Sequence, residues 1–256
     1  MFTIRHFIWL FICIIMISFI LFSFNKKKPS LDKVLTTALI ISLLSEFTKL
    51  TSVIELVPSS NGELLLPYIP LNHLPLHLCS IQIILITIVK FTNNKERRET
   101  LLSFMAPTCF FGALLALLMP SIFTTTITIE QAFTHPVSYQ FFIFHSMLVA
   151  LGVIIVKSNE IKWEFKHFKN ACLLVYLLII LSVYLNSILA SPTYIDGKLV
   201  SVDFWTNFFF TYQNPLNIKL TQIWQWYLYL VFEVLLATFL LYIFYMPLIK
   251  KSKKGE

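Results

Sequence analysis

The chain is short of charge and lacks the signatures that most soluble enzymes carry. Charged residues make up only 13% of it, against about 25% in an average globular domain. No glycine-rich phosphate loop or dinucleotide fingerprint is present, so nothing in it calls for a nucleotide cofactor. There is no internal repeat, low-complexity block or linker, and a single domain over residues 1–256 is expected. Cysteines number 4, and Cys13, Cys79, Cys109 and Cys172 all fall inside apolar runs, so a disulfide framework is not expected. Only Arg5 precedes the first apolar run, and Lys26–Lys28 follow it in place of a small-residue cleavage site. That run reads as a retained span, not a signal peptide.

What the chain has in place of charge is apolar surface, 57% of its residues. A soluble core could not hide so much, which makes lipid the solvent for most of the protein. Apolar runs of about 18 or more residues, the length a membrane helix needs, lie near 7–24, 34–57, 74–91, 100–119, 137–156, 171–190 and 222–248. Backbone groups inside a bilayer need internal partners, so each run reads as a helix and the fold class as an all-α bundle of seven transmembrane spans. The basic residues fall in every second connection: "NKKKPSLDK", "KFTNNKERRE", "KSNEIKWEFKHFK" and the tail "KKSKKGE". The intervening segments, 58–73, 120–136 and 191–220, hold only Lys198 and Lys219. This alternation predicts an outside N-terminus and a cytoplasmic C-terminus. The net charge of +7 then lies on the cytoplasmic rim against anionic lipid head groups, and no nucleic-acid partner is needed to explain it.

Ionisable groups within a span are costly and read as paired or functional. Glu46 and Lys49 sit three residues apart on one face of the second span and can neutralise each other, while Glu233 lies mid-span in the seventh without a local cation. A structural ion cluster is the preferred account of the three, and a transporter or small-solute receptor built on them is the alternative. The stretch "NHLPLHLCSIQIIL" has a different character. Pro75 can open a helix, which would put Cys79 in its second turn, near the outer face. His77 lies about 200° around that helix from Cys79, so a base for the thiol should come from another span unless the backbone at "LPLHLC" is irregular. His145, in "SYQFFIFHSMLV" of the fifth span, would lie about 12 Å deep against about 6 Å for Cys79. Asn186, in "VYLNSIL", returns to the same leaflet.

Cysteine, histidines and amide could therefore converge in one outward-opening pocket, with His73, Gln82, Trp224, Trp226 and Tyr227 as substrate-binding candidates. The plainer readings are that Cys79 is an apolar filler, His145 a packing residue and the "WQWYLY" aromatics an interfacial belt. Histidines at 73, 77 and 145 lack a further ligand at diagnostic spacing, so no metal is assigned.

The motifs "LPLHLCSI", "FFGALLALLMP", "FFIFHSML", "YLNSIL" and "WQWYLY", in that order, resemble the YwaF-like family of bacterial integral membrane proteins. More distantly, they resemble the transmembrane protein 164 family. Members of the latter are implicated as acyltransferases acting on membrane glycerophospholipids through a cysteine nucleophile. The resemblance implies that Cys79 is that nucleophile and His145 the histidine serving it. It also implies a membrane phospholipid as substrate and a bacterial plasma membrane as the location. On this reading His77 polarises the carbonyl or positions the acceptor, Asn186 donates to the oxyanion, and no cofactor takes part. An acyl hydrolase acting on lipid esters through the same cysteine is included in this expectation, and a non-catalytic membrane scaffold is a further alternative. Where relatives tend to carry an Asn-Tyr pair after the sixth span, this chain has "SPTYIDG", with Thr193 before Tyr194, and residues 196–219 do not align.

Overall fold

The computed structural model describes residues 3–59, 62, 64–215 and 218–254. Residues 1, 2, 60, 61, 63, 216, 217, 255 and 256 lie outside that description. The protein is mostly helical, and it divides into two compact units, Met1–Ile69 with Cys79–Lys162, and Pro70–Leu78 with Trp163–Glu256.

In the first unit, α1 (Ile4–Lys27) starts on the Thr3 cap, whose hydroxyl accepts from the His6 N–H, and it stops at Lys28 in the left-handed region. Lys26 and Lys27 in its last turn complement the negative end of the helix dipole. Helix α2 (Leu31–Val53) carries Asp32 in its first turn. It ends four residues short of the expected boundary because the chain turns into an antiparallel hairpin, β1 (Glu55–Pro58) with β2 (Leu65–Tyr68). Helix α3 (Leu78–Phe91) follows a 3-10 turn at Leu71–His73. Asn94 then caps α4 (Lys95–Pro107) by accepting from the Arg97 N–H at 2.9 Å. Helix α4 runs through a π-helical turn, Thr108–Gly112, into α5 (Ala113–Leu118). The short α6 (Ile122–Thr125) and a 3-10 turn at Ile129–Phe133 lead to α7 (Pro136–Lys157), which has proline in its first turn, where no amide hydrogen is missed.

Among the described residues six helices are long and apolar enough to cross a membrane: α1, α2, the continuous α4–α5 element (Lys95–Leu118), α7 and two in the second unit. The third expected span is shorter than anticipated. It begins at Leu78, not Leu74, and its 14 residues reach about 21 Å, against about 30 Å of hydrocarbon. Pro75 sits in the turn ahead of α3 and does not open it, because the chain there closes as a tight turn in which the Leu76 N–H donates to the Leu74 carbonyl at 2.8 Å. Cys79 is thus the second residue of the helix, in its first turn.

Helix α7 is the centre of the first unit and is buried almost all round, as a helix surrounded by others must be. The buried stripe of α1, His6, Trp9 and Cys13, has the spacing of one helical face. Trp9 stacks on Phe142 of α7 with ring centroids 4.5 Å apart and donates its indole N–H to the Ala132 carbonyl at 2.8 Å. Lipid gives helices no hydrophobic reason to associate, so close backbone approach carries much of the packing. Gly152 supplies that approach. A Cβ there would stand 2.7 Å from the Ala106 carbonyl oxygen and 2.9 Å from the Phe110 nitrogen.

Polar contacts mark the two ends of this unit. At one, the Arg5 guanidinium donates to the carbonyls of Ile129 and Glu130. At the other, Arg98 reaches Asp32 at 2.9 Å and Glu160 at 3.1 Å, and Lys157 reaches Asn25. The ends of α1 and α7 and the starts of α2 and α4 therefore share one charged rim.

In the second unit, α8 (Phe165–Ile188) leads into a second antiparallel hairpin, β3 (Ser191–Ile195) with β4 (Lys198–Asp203). Its Asp196-Gly197 turn has positive φ at both residues, 51° and 72°, as a two-residue hairpin requires. A 3-10 turn, Phe208–Phe210, precedes α9 (Ile223–Lys254). Helices α8 and α9 are joined by a 2.6 Å hydrogen bond between the Tyr176 and Thr238 hydroxyls.

Replacing Gly152 with alanine forces α7 away from the π-helical turn. The expected cost is about 1–3 kcal/mol, read as a lower thermal midpoint of the purified protein in detergent, with Gly152→Leu worse still.

Candidate active site

Cys79 is half-buried in the first turn of α3. One turn further on, Gln82 is fully buried and ties α3 to the π-helical turn. Its amide nitrogen donates to the Thr108 hydroxyl at 3.1 Å, and its carbonyl oxygen accepts from the Cys109 thiol at 3.2 Å. The Thr108 hydroxyl in turn donates to the Phe104 carbonyl at 2.7 Å. Pro107 offers no amide hydrogen to the helix, and the wider π turn that follows presents Thr108 and Cys109 to α3. Such turns recur at functional sites. Sequence reasoning noted Cys109 only as a cysteine inside an apolar run and did not single out Thr108. The available signal was the proline followed five residues later by glycine.

His145 is buried on α7, with its ring 4.2 Å from that of Phe141. Its Nδ1 lies 2.7 Å from the Phe141 carbonyl oxygen. A carbonyl can only accept, so Nδ1 carries the hydrogen and the neutral ring has its lone pair on Nε2. That tautomer is the one a general base needs, with one nitrogen anchored and the other basic. Among the described residues the Cys79 thiol makes no hydrogen bond, so Cys79 and His145 are not in hydrogen-bond contact in this structure.

His73, His77 and Asn186 belong to the second unit. His73 closes the 3-10 turn, and the exposed His77 places Nε2 3.4 Å from the Asn72 carbonyl. The His77 ring stands edge-on to Phe208 at 4.9 Å. The backbone at "LPLHLC" is irregular, so the helical 200° offset between His77 and Cys79 does not apply. Asn186 is buried, and both of its amide hydrogens are committed, to the Phe208 carbonyl at 3.1 Å and the Thr211 hydroxyl at 3.0 Å. Its oxygen accepts from the Thr206 hydroxyl and the Phe208 N–H. All four capacities are used, so the amide holds the loop after β4 and has no hydrogen to offer an oxyanion. That loop contains Phe209 and Phe210 at φ 56° and 59°, a conformation costing a non-glycine residue about 1–3 kcal/mol. The Tyr229 hydroxyl steadies it by donating to the Phe210 carbonyl at 2.9 Å.

Of the aromatic candidates, Trp226 is tied to the same loop, donating to the Thr211 carbonyl at 2.9 Å, whereas Trp224 and Tyr227 are exposed. In the first unit, Glu46 and Lys49 form an ion pair at 2.6 Å, closed on itself along α2. Glu233 is half-buried in the second unit. Its Oε2 takes no hydrogen bond among the described residues. No three histidine, cysteine, aspartate or glutamate side chains gather as a metal-holding set among the described residues.

The TMEM164 family profile matches residues 1–245, nearly the whole chain. The protein belongs to the TMEM164 family. The match covers every candidate residue named above, from Glu46 to Glu233, in a multi-pass membrane protein. No curated protein and no solved structure matches the chain.

Because Asn186 satisfies four loop groups at once, Asn186→Ala in this TMEM164-family protein takes the acceptor from the buried Phe208 N–H and Thr206 hydroxyl. The expected loss is about 1–3 kcal/mol, measured as a lower thermal midpoint together with faster proteolysis between residues 204 and 215.

Proposed function

We propose that this protein is a plasma-membrane acyltransferase that moves a fatty-acyl chain from one membrane glycerophospholipid to a second acceptor, with Cys79 as nucleophile and His145 as base. The observation that carries the reading is the 2.7 Å contact of His145 Nδ1 with the Phe141 carbonyl oxygen, which makes Nδ1 the protonated nitrogen of a neutral ring and leaves Nε2 to serve as the base. Family membership supports it, since the chain falls in the TMEM164 family over residues 1–245.

In the proposed cycle, His145 Nε2 takes the proton from the Cys79 thiol as the sulfur attacks a lipid ester carbonyl. The carbon–oxygen ester bond breaks, and the departing lysolipid alkoxide takes that proton from His145. A second hydroxyl then gives its proton to Nε2 and attacks the thioester, the carbon–sulfur bond breaks, and the departing Cys79 thiolate takes that proton back from His145. Substrate entry brings thiol and imidazole into register, in keeping with catalytic hydrogen bonds that tighten only in the complex. Cys79 lies in the first turn of α3, where backbone N–H groups have no intrahelical acceptor, and these are the proposed oxyanion donors. His77, two residues before the nucleophile in the chain, is retained as the residue that positions the acceptor. Gln82 fixes the first turns of α3 through Thr108 and Cys109. Asn186 and Trp226 are assigned to holding the loop after β4, and the Glu46–Lys49 pair to structure.

The same reading takes α3, extended by the irregular segment before it, as the seventh membrane-spanning element, with the N-terminus outside and the basic rim in the cytoplasm. The rim contacts of Arg98 and Lys157 and the alternation of basic connections support that orientation.

The decisive assay follows acyl exchange between labelled and unlabelled phospholipids in proteoliposomes. Cys79→Ala and Cys79→Ser abolish exchange, and His145→Ala lowers it by about 10²–10⁴-fold; undiminished exchange in Cys79→Ala overturns the assignment. Orientation is checked separately in intact cells by a membrane-impermeant maleimide. Asp196→Cys is labelled from outside, whereas Lys95→Cys is labelled only after permeabilisation.

A further inference from the structure

An open cavity of the first unit lies away from the candidate nucleophile. It is a cleft of about 440 Å³ between α2 and α7, within the usual range for a site that holds a small molecule. Ile41, Leu44, Ser45 and Thr48 line one wall, and Pro136, Tyr139, Gln140 and Ile143 the other. Both sets have the i, i+3, i+4, i+7 spacing of a single helical face. On α7 that face is centred about 170° from His145, so the cleft and the proposed base occupy opposite sides of the helix.

Three observations identify its occupant. First, the cleft continues the lipid-facing surface: Leu44 and Ile143 line it and are themselves exposed, beside the exposed Ile40, Leu43 and Phe47 of α2. Second, its polarity is graded. Along the two helices, Thr48 and Thr134 lie nearest the Val53 end of α2 and the Pro136 end of α7, Ser45 and Gln140 further along, and Ile41 and Ile143 furthest, within about 20 Å of those ends. Third, Ser45 and Gln140 are bonded to each other across it, the Gln140 amide donating to the Ser45 hydroxyl at 2.7 Å. That bond leaves the Ser45 hydroxyl hydrogen and the second amide hydrogen of Gln140 without an acceptor among the described residues. Two spare donors above an apolar floor match the carbonyl acceptors of an ester-linked acyl chain, and a charged head group would remain at the mouth.

We propose that the α2–α7 cleft binds one glycerophospholipid, seating an acyl chain along Ile41, Leu44 and Ile143 with its ester carbonyl on Ser45 and Gln140. The bound lipid is a resident ligand, not the substrate of Cys79, and the inference does not depend on catalysis.

The test uses the full chain in phosphatidylcholine nanodiscs containing a phosphatidylcholine with a diazirine in one acyl chain. After photolysis, the labelled peptides are mapped by mass spectrometry. Labelling is expected to concentrate on residues 41–48 and 139–143. Either Leu44→Trp or Ile143→Trp, each filling the cleft, lowers it there about tenfold, while Cys79→Ala leaves it unchanged. A dialkyl ether analogue, lacking the carbonyl, labels the cleft less than the diester in the wild type and equally in Ser45→Ala/Gln140→Leu. Three results overturn the proposal. One is labelling spread evenly over the exposed faces of α1 and α2, the signature of ordinary bilayer contact. Another is labelling unaffected by both tryptophan variants. The last is stronger labelling by a diazirine fatty acid than by the phospholipid, which would make the occupant a free acid.

Discussion

The approach of α7 to the α4–α5 element at Gly152 sets the geometry of the first unit. The Ala106 carbonyl and the Phe110 nitrogen flank the point of contact, and Pro107 lies between them in sequence. Any side chain at 152 would push the two backbones apart. Held that close, the chain after Pro107 accommodates its missing amide hydrogen as a π turn, and that turn carries Thr108 and Cys109 to Gln82. Helix α3 is too short to be positioned by apolar packing alone, and the buried Gln82 amide fixes it to the turn. The place of Cys79 therefore depends, two steps removed, on the missing Cβ of Gly152.

The second unit solves a related problem with one side chain. A loop between a hairpin and a membrane helix has many backbone groups to satisfy and little regular structure with which to do so. Asn186 takes four of its partners at once, and Asn207 adds bonds to the Tyr212 and Gln213 amides. Two consecutive phenylalanines in the left-handed region persist because these bonds over-determine the turn.

The spans and the basic rim were legible in the sequence because each rests on a property that survives without coordinates. Apolar length reports solvent, and clustered lysine and arginine mark the end of the helices that forms the charged rim. The shortness of α3 was less visible: the apolar run is continuous from Leu74, and only Pro70 and Pro75 mark that its first residues are not helical. The second hairpin was legible in its Asp196-Gly197 turn but was passed over as an outer segment. The site was legible only as residue types. Nothing in residue type pairs Gln82 with a thiol 27 positions away, or commits the Asn186 amide to a loop 20 to 25 residues later. The Asn186 amide inside an apolar run attracted a catalytic reading when its actual partners are backbone and hydroxyl groups of one loop. The bond that sets the His145 tautomer is likewise to a backbone carbonyl, which every residue at that position would present.

The two small hairpins each consist of strands with an open outer edge, ordinarily an invitation for another chain to extend the sheet. Both carry apolar side chains in the open, among them Leu56, Leu65, Tyr194 and Leu199, which strengthens the invitation. Proline stands within the strands, however: Pro58 and Pro67 in the first hairpin and Pro192 in the second. Each removes a hydrogen that an incoming strand would need. In a crowded membrane surface this chain can keep greasy, extended segments on display without being recruited into aggregates.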